Sequence, residues 1–185
     1  DTFGRANIDA FNKNDISYFT REAFDFFYPG YGSSYPSIMG AIAMLTEQGG
    51  IAGGRAIETE DGTILTLRQR IWDHYTTSIQ SLFTGVKHKK ELLRYSYDAW
   101  QPSKSLSANK TYFLSPTDMY TPDVVQILQR HGVKFDQAKE SFTVNTLFDY
   151  ETNTSTRKTF PKGTILLSCN QPQHLLINSV MDKSL

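Results

Sequence analysis

The sequence has a single cysteine, Cys169, among its 185 residues. One thiol excludes an intrachain disulfide framework and a zinc site built from several cysteines. No apolar run reaches the roughly 18 residues that a membrane-spanning helix needs, so no membrane span is predicted. Lysine plus arginine equals aspartate plus glutamate, at 19 each, so no overall field attracts the chain to nucleic acid. With 39% hydrophobic and 13% aromatic residues, the composition is that of a globular chain.

Two common catalytic signatures are also missing from the sequence. No serine lies in a G-x-S-x-G turn, and no glycine-rich phosphate-binding loop is present. His88 and Glu91 have the H-x-x-E spacing of some metal sites, but Lys87, Lys89 and Lys90 surround them, and their positive charge repels a metal ion. We therefore interpret this stretch as a solvated helix end. This basic cluster has no interleaved aromatic residues of the kind that bind single-stranded nucleic acid, so no nucleic-acid partner is predicted.

Helix and strand signals cover most of the chain. Phe3, Ile8 and Phe11 form a helical pattern at the start, and an Asp61-Gly62 turn separates two short extended pieces. A long helix is predicted to open at Thr66, where Thr66 and Gln69 have the spacing of a capping box. Its apolar face consists of Leu67, Ile71, Tyr75, Ile79, Leu82 and Val86, which recur every three or four residues and should face a core.

A polar stretch at 101–109 is the clearest linker, and the pattern changes after it. We predict strands at 110–116, 133–139 and 163–169, an extended or hairpin-like run at 141–160, and a terminal helix at 171–185. A further helix at 122–132 should be capped by Thr121, with Pro122 at its first position and Gly132 at its end. This order predicts an α/β fold with a partly parallel sheet, divided into segments 1–105 and 106–185.

Glu47 and three tyrosines are the candidate site residues. The apolar run 41–45 predicts a buried strand that ends near Glu47, and a carboxylate in that position would be desolvated and suited to act as a general base. The alternative is that Glu47 caps a helix or pairs with an arginine. Tyr28, Tyr31 and Tyr35 could place hydroxyl groups over a pocket, or could simply pack as an aromatic loop on the core.

The stretch Tyr18–Gly50, followed by Thr59–Leu82, resembles the second half of the catalytic domain of zinc carboxypeptidases of the M14 family. The resemblance is closest to the large bacterial members, which carry an extra C-terminal region, and Phe160–Met181 is similar to part of that region. It implies the C-terminal part of a three-layer mixed sheet with helices over residues 1–105, followed by a small α/β unit at 106–185. The first residues fall inside a helical pattern, so we expect the sequence to be a C-terminal fragment of a longer protein.

The resemblance also implies a function. Glu47 takes the position of the catalytic general base, Tyr28 is the best match for the tyrosine that closes over the substrate, and Tyr31 is the second candidate. The implied substrate is a peptide or cell-wall peptide, and the implied location is secreted or periplasmic. Zinc is expected in the parent protein and none in this chain, because the family's ligands lie upstream of the tyrosines. An alternative is a non-catalytic module that binds a peptide or sugar, and a dimer through an exposed sheet edge is expected for either function.

Overall fold

The computed structural model describes residues 1–20, 28–50 and 52–183. Residues 21–27, within the stretch that carries the family resemblance, and residues 184–185, at the end of the predicted terminal helix, lie outside this description. The chain forms two compact units, the first from residues 1–35 and 42–95 and the second from residues 36–41 and 96–185. The predicted linker at 101–109 contains a short 3-10 helix, Pro102–Lys104, and belongs to the second unit.

Helices and a small hairpin make up the first unit. The helix α1 spans Thr2–Lys13, the short helix α2 spans Ser34–Ile38 and runs from the first unit into the second, and a 3-10 turn spans Ala52–Gly54. Strands β1 (Ile57–Glu58) and β2 (Ile64–Leu65) pair antiparallel around the predicted Asp61-Gly62 turn. The long helix α3 (Leu67–Lys87) follows. Helix α4 (Lys89–Ala99) begins two residues after α3 ends and runs from the first unit into the second.

The start of α3 confirms half of the predicted capping box. Thr66 caps the helix, because its Oγ1 accepts a hydrogen bond from the Gln69 backbone N–H at 3.2 Å. The second bond of a capping box, from the Thr66 backbone N–H to the Gln69 side chain, was predicted wrongly. The Gln69 side chain instead donates to Asp73 Oδ1 at 2.7 Å, one turn further along the helix.

The apolar face of α3 does not face a core, which corrects the expectation from its periodicity. The buried residues of the helix are polar, namely Asp73, Thr76, Thr77 and Thr84, and they lie on the side that packs on α1. At 100° per residue, this side is opposite the apolar one. The apolar side is solvent-exposed at Leu67, Ile71, Tyr75, Leu82 and Val86, here called the α3 stripe, and only Ile79 of the predicted face is partly buried.

The second unit contains a three-stranded sheet with two helices. Its strands are β3 (Thr111–Leu114), β4 (Asp136–Gln137) and β7 (Ile165–Ser168), with β7 in the centre and antiparallel to both neighbours. The strands β5 (Phe142–Asp149) and β6 (Thr154–Phe160) form a separate antiparallel hairpin, as the sequence predicts. Every strand pair in the described residues is antiparallel, so the mixture of helices and strands is confirmed and the partly parallel pairing was wrong.

Residues from both helices and the central strand build the core of this unit. Helix α5 spans Thr121–Arg130 and α6 spans His174–Met181. The predicted cap at Thr121 was wrong, because α5 is capped by Tyr120 and Thr121 is its first residue. The Thr121 hydroxyl donates to the Ser115 carbonyl at 2.8 Å. The buried cluster consists of Leu128, Val133, Leu167, Cys169, Leu176 and Ile177, with Ile38 and Met39 packed against it. None of the helices in the described part of the chain is both long and apolar enough to cross a membrane.

Candidate functional site

The tyrosine loop of the first unit is a tight turn that exposes two phenol rings. The Tyr31 N–H donates to the Tyr28 carbonyl at 3.1 Å, which closes the turn. The two rings meet edge to face, with centroids 5.2 Å apart. A Cβ on Gly30 would overlap the Tyr28 ring, so only glycine permits this approach. Tyr28 is 58% exposed and Tyr31 42%, so both rings are available to a ligand.

The segment that contains Glu47 differs from its predicted structure. Residues 41–50 form no strand, and Glu47 is exposed. Ile42 and Met44, which the strand would have buried, are 46% and 41% exposed. The predicted desolvation of Glu47 was therefore wrong. The physical reason is that the run has no strand beside it to pair with in the described part of the chain, and an unpaired apolar run has no sheet to bury it.

The structure brings two of the four candidate site residues into contact. The rings of Tyr28 and Tyr31 are in contact. Tyr35 lies in the first turn of α2, and its N–H donates to the Tyr31 carbonyl at 3.1 Å. Glu47 makes no hydrogen bond or ion pair with any described residue. All four residues belong to the first unit. Chemically, the loop offers hydroxyl groups and aromatic edges, and Glu47 offers a carboxylate that water can reach.

The H-x-x-E pair forms an internal contact and no metal site. His88 Nδ1 and Glu91 Oε2 are 2.9 Å apart, one turn from each other at the junction of α3 and α4. Within residues 1–20, 28–50 and 52–183, no group of three or more histidine, cysteine, aspartate or glutamate side chains is placed to share a metal ion. The side chains of this part of the chain therefore do not fit zinc.

The chain matches no protein-family model, no curated protein and no solved structure. Its function must therefore be argued from its own residues.

Sequence reasoning missed a cleft of about 260 Å³ between α1 and α3. The side chains that can recognise a ligand there include Asp9, Lys13, Phe83, Lys87 and His88. Two lysines near one aspartate favour an anionic group, and Phe83 adds an apolar wall. No sequence signal predicts the cleft, because it depends on how two helices 70 residues apart pack together.

A second group of polar side chains, in the second unit, is structural. Burial raises the pKa of the Cys169 thiol to about 11 and that of the Tyr112 phenol as well. The Tyr112 hydroxyl and the Cys169 Sγ both donate to Asn178 Oδ1, at 3.4 and 3.6 Å. A buried thiol with a raised pKa is a poor nucleophile, because the reactive form is the thiolate. We therefore assign Cys169 to the core and not to catalysis.

Proposed function

We propose that this chain supplies the C-terminal part of a zinc carboxypeptidase-like catalytic domain, whose metal ligands are carried by other residues of the parent protein. The observation that carries the proposal is the order of features in the resembling stretch. A tyrosine loop is followed by a lone carboxylate, Glu47, and then by a capped long helix. The two exposed rings of Tyr28 and Tyr31, held by the turn at Gly30, support a role in covering a substrate.

Glu47 is the proposed general base. Its carboxylate would accept a proton from the attacking water and return it to the leaving amine, which are the two proton transfers that peptide hydrolysis requires. Its exposed position lets both the water and the peptide reach the carboxylate. The proposed substrate is the C-terminal peptide bond of a peptide or cell-wall peptide, with Tyr28 donating a hydrogen bond to it.

The test compares the full-length parent with its Glu47→Gln variant for zinc content and carboxypeptidase activity. Glutamine keeps the shape of the side chain but cannot take up a proton. We expect the parent to bind one zinc ion and the variant to retain it, with activity reduced by about 10²- to 10⁴-fold. Glu60→Gln, an exposed glutamate beside the hairpin turn of the same unit, is the matched control and should leave activity unchanged.

Tyr28→Phe removes the hydroxyl group and keeps the aromatic ring, so it tests the hydroxyl alone. Loss of one hydrogen bond to the substrate should lower kcat/KM by roughly tenfold, which corresponds to about 1.4 kcal/mol. A parent without zinc, or a fully active Glu47→Gln variant, would overturn the catalytic proposal. The exposed aromatic pair would then favour a non-catalytic module that binds a peptide or sugar, which titration with those ligands would detect.

A further inference from the structure

The α3 stripe is an apolar surface that the described residues of the first unit leave exposed to solvent on both sides of the partly buried Ile79. Its members are 46% (Leu67), 60% (Ile71), 53% (Tyr75), 67% (Leu82) and 77% (Val86) exposed. Their spacing of four residues, with one interval of seven, places them along one side of a helix about 31 Å long. The apolar side chains of an amphipathic helix normally face a core. In α3 the polar side is buried and the apolar side is exposed instead.

The opposite side of α3 is buried and makes contacts within the unit. Thr84 is 3% exposed and donates from Oγ1 to the Gln80 carbonyl at 2.7 Å. Asp73 is 4% exposed and accepts from Gln69. Because these polar groups are already bonded within the helix and packed towards α1, rotating α3 to bury its stripe would expose paired groups and break that packing. The described residues of the first unit therefore do not bury the stripe without losing these contacts.

The stripe has the size of a protein interface. Trp72 and Phe83 flank it and are 45% and 65% exposed. Each half-exposed side chain of this size leaves on the order of 100 Å² in water. The seven side chains together thus approach the roughly 800 Å² per partner that a standard interface buries. Monomeric proteins rarely leave an apolar patch of that extent uncovered.

We propose that the α3 stripe pairs with the α3 stripe of a second copy of this chain, in antiparallel orientation. A single straight stripe is complementary to itself under a two-fold rotation, which closes the assembly at two copies. The chain has a net charge of zero, so two copies do not repel each other overall.

Charges at the two ends of the stripe favour the antiparallel orientation. Residues 57–68, at the N-terminal end, carry three carboxylates and one guanidinium, whereas residues 87–91, at the other end, carry three ammonium groups and one carboxylate. Arg70 does not lie within the stripe, because 100° per residue places it on another side of α3, where its guanidinium donates to the Arg55 carbonyl at 2.8 Å. Antiparallel pairing brings opposite charges and opposite helix dipoles together, and parallel pairing would bring like charges together.

The first experiment measures the mass of the 185-residue chain by sedimentation velocity over a range of concentrations. We expect a monomer–dimer equilibrium. Leu82→Glu places a charge in the stripe and should raise the dimer dissociation constant at least tenfold. Leu106→Glu is the matched control, because Leu106 is a fully exposed leucine of the second unit. It should change the dissociation constant less than twofold.

The second experiment tests the orientation with single cysteines and mild oxidation. Ser78 lies near the middle of the stripe, so Ser78→Cys should form a disulfide-linked dimer across the two-fold axis. Val86→Cys should not, because antiparallel pairing separates the two copies of residue 86 by more than roughly 20 Å. The unmodified chain gives the background, since its one cysteine, Cys169, is buried.

Three results would overturn the proposal. One is a chain that remains monomeric at all concentrations, and another is a dimer that Leu82→Glu leaves intact, as pairing through a sheet edge would. The third is a monomeric full-length parent in which Ser78→Cys is shielded from a maleimide, because other residues of the parent would then cover the stripe.

Discussion

Lys110 Nζ lies 2.8 Å from Asp182 Oδ2, which joins the residue before β3 to the residue after α6. The hydrogen bond to Asp182 raises the pKa of Lys110. The two side chains are 49% and 28% exposed, so solvent screens their attraction, and a pair of this kind contributes about 0.5–1 kcal/mol. We expect Lys110→Met to lower the free energy of unfolding by that amount in urea titrations.

A double-mutant cycle with Asp182→Asn isolates the interaction of this pair from other effects of the substitutions. The control is the pair Arg5 and Asp1, which is 3.9 Å apart with side chains 80% and 78% exposed. Its coupling energy should be near zero. Equal coupling energies for the two pairs would contradict the prediction.

The second unit should lose stability in alkali. Burial raises the pKa of Cys169 to about 11 from the ordinary 9.0, and those of Tyr112 and Tyr150 above their ordinary 10.0. A raised pKa in the folded state means that the stabilisation is complete below the unfolded pKa and is lost as the pH rises through the folded value. We expect the urea midpoint to fall progressively from about pH 9 upwards.

Cys169→Ala tests the contribution of the thiol to this loss. The variant removes one ionisable group and should show a smaller decrease of the urea midpoint between about pH 9 and pH 11 than the unmodified chain. A disulfide reagent at pH 8 should leave Cys169 unmodified in the folded protein and react with it fully in urea. Rapid reaction in the folded state would show that the thiol is not buried.

His174 should be a structural histidine of the second unit. It is 3% exposed, and its Nε2–H must donate to the Ala99 carbonyl, 3.0 Å away, because a carbonyl can only accept. His174→Phe leaves that carbonyl without its donor, which costs about 1–3 kcal/mol of unfolding free energy. His174→Gln should recover part of the loss, since its amide can donate in a similar place. His74→Gln, on the exposed side of α3, should change stability by less than about 0.5 kcal/mol.

Two glycines should respond to alanine in opposite directions. Gly40 has a φ of +80°, and a Cβ there would lie 3.0 Å from the Ala99 Cβ and 3.2 Å from Trp100 Nε1. Gly40→Ala should therefore cost about 1–2 kcal/mol from backbone strain alone. Gly4 lies in α1 with open space around it, and Gly4→Ala should gain about 0.5–1 kcal/mol. Thermal unfolding of both variants measures the contrast.

Local signals predicted most of the elements, and contacts between distant residues decided the rest. The cap at Thr66, the turn at Asp61-Gly62 and the hairpin of β5 and β6 each depend on residues a few positions apart, and the structure confirms them. Strand direction depends on which strands meet. The short strand β4 pairs antiparallel with β7, about 30 residues later. The sequence of neither segment predicts that orientation.

The candidate site shows the same limit. The sequence placed Tyr28, Tyr31 and Tyr35 together in one loop, but it placed Glu47 at the end of a buried strand. An apolar run becomes a buried strand only if another strand is beside it. Likewise, the periodicity of residues 67–86 correctly predicted the helix α3. Periodicity alone does not predict which side of a helix the rest of the chain buries.

The order in which the chain is made has a consequence for the second unit. Ile38 and Met39 pack against a cluster whose remaining members extend from Leu128 to Ile177. During synthesis these two residues emerge early, and 88 others must follow Met39 before Leu128, the first member of the cluster, is made. Contacts of such long sequence separation slow folding. A piece beginning at residue 96 would lack them altogether, so an excised second unit should include residues 36–41 as a separate or fused peptide.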